Sequence, residues 1–259
     1  MKLQVEARTD VGHRRKVNED CVVIGGSVLQ AAHGSLATSN LEVPTMISVL
    51  DGMGGMGNGG LASRIAANAL VEYAASLGRE SGSGPGLANP EPVTAAEAQT
   101  GWDPTVAYHE ANCRIVGRMD VDGTRGMGTT AVTLAAGQSA LEVVNVGDAT
   151  AFRLDGDFLI ELSVADRAPT GAVTGSLGGT SELVDVSPHR RVVGGVRVGD
   201  RFLLCSDGLT DVVGIERIEE RLADRERSAV DGLVADVLTA GAPDNVTVVM
   251  VEVVVGGPP

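Results

Sequence analysis

"MISVLDGMGGMGNGGLASRIAANAL", residues 46–70, passes from an apolar run into a glycine-crowded loop and on into a helix-like segment. Gly52, Gly54 and Gly57 satisfy G-x-G-x-x-G between a strand and a helix, the setting in which a dinucleotide phosphate would sit. Asp51 argues the other way, because a carboxylate just before a phosphate cradle repels the ligand it should hold. The loop serves either a nucleotide or, through Asp51, a cation, and that choice decides the fold.

Outward from this loop, strand candidates stop or start at acids. "CVVIGG" (21–26) follows directly on "NED" (18–20), and "MISVL" (46–50) runs into Asp51. "TTAVTLAA" (129–136) and "ALEVVNV" (140–146), separated by "GQS", read as a hairpin whose second strand leads to Gly147 and Asp148. "AFRL" and "DFLIEL" flank an Asp-Gly turn at 155–156; "RFLLCS" (201–206) ends at Asp207, and "VTVVMVEVVV" (246–255) follows "PDN" (243–245). Helical periodicity is confined to 61–77, to a stretch opening at Asp103-Pro104 and reaching about Gly117, and to two pieces broken around 224–227. The glycine, serine and proline stretch 78–92 reads as a flexible loop, too short to separate domains.

Hairpins without regular strand and helix alternation exclude a doubly wound parallel sheet as the first choice. Continuous Val-rich strands suggest burial on both faces, as in an α+β fold of two packed antiparallel sheets covered by helices. In such sheets the start of one strand and the end of its neighbour share an edge. Asp20 can then lie beside Asp51, and Asp207 beside Asp244, with Asp148 able to join them.

Composition narrows the partners. A hydrophobic fraction of 43% over 259 residues is ample for the core of one large domain. The net charge of −14 disfavours nucleic acid and anionic membranes, and the aromatic content of 2% leaves no stacking platform for single strands. Cys21, Cys113 and Cys205 lack CxxC spacing and read as buried structural thiols of a reducing compartment. The N-terminus has no apolar leader region, and there is no charge-free run of about 18 apolar residues, so a soluble cytoplasmic protein is expected.

Each strand-end acid alone is also an ordinary turn residue. Gathered together they conflict: two charges about 4 Å apart repel by roughly 4 kcal/mol at an effective dielectric of about 20. A hard divalent cation removes the conflict, and oxygen-only donors select Mg²⁺ or Mn²⁺ over Zn²⁺. Carboxylates spread over several strands could hold two ions with a bridging water, whose lowered pKa suits in-line attack on phosphorus, with Gly52 offering a carbonyl. "HRRKVNED" supplies Arg14, Arg15 and Lys16 as phosphate-binding cations or as a solvated surface run.

"DVGHRRKVNED", "VLDGMGG", "GMGTTAV", "VVNVGDA", "LLCSDGLTDVV" and "APDNVTVVMV" together resemble, in order and approximate spacing, the metal-dependent protein phosphatases of the protein phosphatase 2C family, most of all its bacterial members. The resemblance spans residues 8–251 and implies an α-β-β-α sandwich in a single catalytic domain, 1–259. It further implies hydrolysis of phosphoserine and phosphothreonine in proteins, the targets of a serine/threonine kinase, without a phosphoenzyme and with Mn²⁺ or Mg²⁺. By motif, Asp51 resembles the carboxylate bridging two metals, with Gly52 giving its backbone oxygen. Asp207 and Asp244 resemble ligands of the first metal, and Glu19 and Asp20 acids serving the second directly or through its waters. Asp148 corresponds to an acid of a third, weaker site shared with Asp207, and Arg15 to the clamp on the substrate phosphate. Asn245 reads as a positioning residue, and Thr129 and Thr130 as structural.

The chain also departs from the family pattern. Met53 stands where some members carry a histidine proposed as general acid, and His13, His33, His109 and His189 match no motif. Residues 164–173 are all that remains where bacterial relatives carry a longer flap. A catalytically weak phosphoprotein-binding relative and a dinucleotide-binding protein using the Gly52–Gly57 loop are the competing readings. A monomer is expected.

Overall fold

Strand residues buried on both faces set the layering. The computed structural model describes residues 1–54, 58–80, 103–122, 124–137 and 140–255. In chain order the strands are β1 (Lys2–Asp10), β2 (Cys21–Ile24), β3 (Ser27–Leu29), β4 (His33–Glu42), β5 (Thr45–Leu50), β6 (Gly52–Met53), β7 (Gly128–Thr129), β8 (Ala131–Ala136), β9 (Leu141–Val146), β10 (Thr150–Asp155), β11 (Phe158–Glu161), β12 (Leu177–Gly178), β13 (His189–Val193), β14 (Arg201–Cys205) and β15 (Val246–Val254). The helices are α1 (Gly59–Glu80), α2 (Thr105–Asp122), α3 (Asp207–Thr210), α4 (Ile215–Ala223) and α5 (Ala229–Thr239).

Two six-stranded sheets carry the fold, in the orders β11-β10-β14-β15-β1-β4 and β13-β9-β8-β5-β2-β3, with a small sheet β12-β7-β6 beside them. Every strand pair in them is antiparallel, including both neighbours of β5. That overturns the dinucleotide reading, which needs a parallel strand following α1; Gly57 itself lies outside the described residues.

Period-two alternation then sorts side chains into separate cores. Val22, Ile24, Ile47, Val49, Phe202, Leu204, Val249 and Val251 meet between the two sheets. Their neighbours Cys21, Val23 and Met46 pack instead under Ala62, Ala66 and Leu70 of α1 and Tyr108 and Ile115 of α2. On the opposite face Leu203, Cys205, Val248 and Met250 pack under Ile218, Leu222, Leu233 and Val237 of α4 and α5. Each such aliphatic side chain contributes about 2 kcal/mol on burial, so a chain poor in aromatics is held by many small contributions. Tyr108, fully buried, satisfies its hydroxyl by donating to the Val144 carbonyl at 2.9 Å.

Several sequence expectations need correction. β1 was not anticipated ahead of the strand at 21–24: in it buried Leu3, Val5 and Ala7 alternate with half-buried Lys2, Gln4, Glu6 and Arg8. β4 and β13 lie at sheet edges, where one unpaired side relaxes the demand for apolar residues. Residues 78–80 are the last turn of α1 rather than the start of a loop, and 81–92 lie outside the described residues. α2 opens where expected, with Asp103 Oδ1 accepting from the Thr105 amide at 3.0 Å, and runs on to Asp122. The break at 224–227 is real: α5 restarts at Ala229, capped by Ser228. Cys21 and Cys205 are buried, but Cys113 is exposed, because it falls on the outward face of α2. No described helix is long and apolar enough to cross a membrane.

Candidate metal centre

Antiparallel register delivers the acids to one rim. Cys21 pairs with Leu50, so the residues just outside the pair, Asp20 and Asp51, are neighbours. Cys205 pairs with both Val248 and Thr150, which brings Asp207 to the rim beside the Asp244 turn and beside Asp148. Asp10 pairs with Val246, so the chain leaving β1 passes over the same turn and carries Arg15 and Glu19 to it. Arg15, Glu19, Asp51, Gly52, Met53, Thr130, Asp148, Asp207, Asp244 and Asn245 line one cavity of about 410 Å³. Arg14 and Lys16 are exposed and do not line it.

Asp20 lies a layer deeper. It is fully buried, and its Oδ2 accepts from Thr247 Oγ1 at 2.6 Å and Ser206 Oγ at 3.0 Å. Its Oδ1 has no donor. Asp51 is close enough to hydrogen-bond with it when one of the two carries a proton. Glu19 is held from three sides: its amide donates to Asn245 Oδ1 at 2.9 Å, its carbonyl accepts from Ser63 Oγ at 2.6 Å, and Oε1 accepts from the Gly60 amide at 3.3 Å. Asn245 also donates to the carbonyls of Val11 and Val17, at 3.0 and 3.1 Å, and so ties the Arg15 loop to the Asp244 turn. Thr129 Oγ1 and the Thr130 amide both donate to the Asp51 carbonyl at 2.9 Å, fixing the start of β6.

Bare backbone sets these spacings. A Cβ on Gly52 would lie 2.3 Å from the Gly59 carbonyl oxygen and 2.5 Å from that of Glu19. A Cβ on Gly208 would lie 1.8 Å from the Asn245 carbonyl oxygen, so the turns bearing Asp207 and Asp244 touch main chain to main chain.

The electrostatics are one-sided. Burial, then Asp20, Asp207, Asp148 and Asp244, push the Asp51 carboxyl well above its ordinary value. Burial lifts Asp20 to about 6 against its bonds from Thr247 and Ser206, with Asp207 adding to the rise. Asp207 is raised to about 6 by burial and then by Asp148 and Asp211, opposed by Arg167. Among the described residues no three His, Cys, Asp or Glu side chains close on one point as a finished metal shell. Arginines pair with three of these acids: Arg15 Nη2 donates to Asp244 Oδ2 at 2.6 Å, and Arg167 bridges Asp148 and Asp207 at 2.8 and 2.7 Å.

An orphaned buried oxygen on Asp20, an all-oxygen donor set and carboxyls raised by burial and then by one another fit hard divalent cations. No described histidine lines the cavity: His33 bonds Asp10 and His189 bonds Asp166. Sequence reasoning missed Ser206, next to Asp207, and Thr247, two residues beyond Asn245, both legible as hydroxyls at strand ends. It also missed Arg167 and Asp211, for which the sequence carries no periodic or motif signal.

The profile of the protein phosphatase 2C family matches residues 24–252. The serine/threonine protein phosphatase PstP of Mycobacterium tuberculosis is 30% identical over 270 residues, covering 97% of this chain and 45% of the relative; the chain thus spans less than half of that protein. The serine/threonine phosphatase stp of Listeria innocua is 29% identical over 283 residues, with 96% of each chain covered. The crystal structure of the PstP catalytic domain in complex with two manganese ions superposes with a TM-score of 0.72 at 28% identity, covering 98% of this chain and 99% of that one. This chain belongs to the protein phosphatase 2C family.

Proposed function

We propose that this chain is a single catalytic domain that hydrolyses phosphoserine and phosphothreonine esters in proteins phosphorylated by a serine/threonine kinase, with Mn²⁺ or Mg²⁺ as cofactor. The observation that carries the reading is the convergence of Asp51, Asp148, Asp207 and Asp244 on one cavity, with Asp20 behind them and three of the five carboxyls lifted by burial and by one another. The family membership, and the manganese bound by the PstP catalytic domain, support it.

Asp51 would serve both cations and the Gly52 carbonyl would add a backbone oxygen, with Asp207 and Asp244 serving one ion and Glu19 and Asp20 the other. Two divalent ions in this setting supply charge neutralisation for the phosphate and an acidified water for in-line attack on phosphorus. Arg15 is the one basic side chain lining the cavity among the described residues, and its planar fork suits two phosphate oxygens. Its Nη2 is held by Asp244 Oδ2, one of the acids that would serve a cation. Met53 lines the wall where a proton donor for the leaving alkoxide could stand, and a thioether has no proton to give.

The test is hydrolysis of phosphoserine and phosphothreonine peptides as Mn²⁺ is titrated into metal-free protein. Turnover should be absent in EDTA and restored by Mn²⁺. Phosphopeptide binding without turnover at saturating Mn²⁺ would replace this reading with that of a binding module.

A further inference from the structure

The short segment 164–173 carries a cation into the acidic rim, and its anchoring is unusually complete. Asp166 and Gly147 exchange bonds: the Asp166 amide donates to the Gly147 carbonyl at 2.9 Å, and the Gly147 amide donates to Asp166 Oδ2 at 2.9 Å. His189 Nε2 meets Asp166 Oδ1 at 2.7 Å, and Arg167 forms an antiparallel bridge with Val173. The root of Arg167 is thereby fixed beside Asp148. Its guanidinium then makes four contacts to three carboxylates: Nε to Asp148 Oδ2 at 2.8 Å, Nη2 to Asp207 Oδ2 at 2.7 Å, Nη1 to Asp211 Oδ1 at 2.9 Å and Nη2 to Asp211 Oδ2 at 3.2 Å. Thr130, buried at the wall of the cavity that Asp148 and Asp207 also line, has an Oγ1 with no partner.

We propose that Arg167 is a built-in cation for the subsite formed by Asp148, Asp207 and Asp211, and that it competes there with a divalent ion. The inference rests on the metal reading of the cavity and adds to it a limit on how many ions the chain holds. A guanidinium matches carboxylate pairs by its fork but delivers one charge, whereas a divalent ion delivers two to the same oxygens. The two cations repel, so a divalent ion enters this subsite only when Arg167 leaves.

Calorimetric titration of Mn²⁺ into the full chain tests this. Arg167→Ala should bind one more Mn²⁺ per chain than the wild type, or bind its weakest ion at least tenfold more tightly, and Arg167→Ala/Asp211→Asn should lose that gain. Arg167→Lys, which keeps a point charge without the fork, should fall between and guards against a variant that fails to fold. In EDTA the alanine variant should melt below the wild type, and Mn²⁺ should raise its melting temperature by more. Equal stoichiometry and affinity in wild type and Arg167→Ala overturns the competition while leaving the metal site standing; no Mn²⁺ bound by either chain overturns both.

Discussion

Asp51 and Asp236 are the same side chain in opposite company. Asp236, on α5, accepts from Arg221 at 2.7 and 2.8 Å and from Arg217 at 2.9 and 3.3 Å, and Arg221 first, then Arg217, bring its carboxyl down to about 2. Asp51 faces four other aspartates and is driven up. The first arrangement carries its own counter-charge and is complete. The second is stable only to the extent that protons or cations arrive from outside, which is how a binding site differs from a structural ion pair.

The largest effect that would break this contrast is on turnover. Asp51→Asn should lower Mn²⁺-dependent phosphopeptide hydrolysis by about a thousandfold, on the scale of removing a principal electrostatic stabiliser. In EDTA the same variant should melt higher than the wild type, because one of the repelling charges is gone. Matching activity in variant and wild type would sink the site assignment.

Next comes the pH dependence of the metal-free fold. Asp20 and Asp207 have folded values of about 6 against an ordinary 3.8, so their stabilising protonation is complete below 3.8 and lost as pH rises through 6. For fully buried Asp20 alone the loss is about 3 kcal/mol. Denaturant unfolding in EDTA should therefore weaken between pH 4 and 6, and saturating Mn²⁺ should flatten the trend. Asp236 has the reverse sign: its contribution is present above 3.8 and is lost as pH falls towards 2.

Arg15→Ala should reduce kcat/KM for phosphopeptides by roughly 30-fold, the worth of one charge-assisted hydrogen-bonded contact of about 2 kcal/mol. Mn²⁺ binding should persist, since Asp244 is freed. The smallest effect sharpens the other half of the comparison. Asp236→Asn should cost at most about 1 kcal/mol of stability, less at high salt, and leave Mn²⁺ binding unchanged.

Sequence made the sandwich legible because Val-rich strands bracketed by acids have one economical packing, and the Cys21–Leu50 and Cys205–Val248 pairings realise it. The rim acids were legible for the same reason: each is adjacent to a strand end, so register alone brings them together. β4 escaped notice because its alternation is of small polar residues at an edge, where burial asks little of the sequence. Arg167 escaped for a different reason. Its partners lie 19, 40 and 44 residues away along the chain, and only the folded turn at Gly147 and Asp166 brings them within reach.

The contact at Gly208 carries a consequence for how the rim tolerates change. With the Asn245 carbonyl where a methyl group would need to be, even alanine at 208 must prise apart the two loops whose acids would share an ion in the proposed centre. Such a lesion would leave every carboxylate in the sequence and still ruin affinity, acting as a thicker shim would in a closely fitted joint.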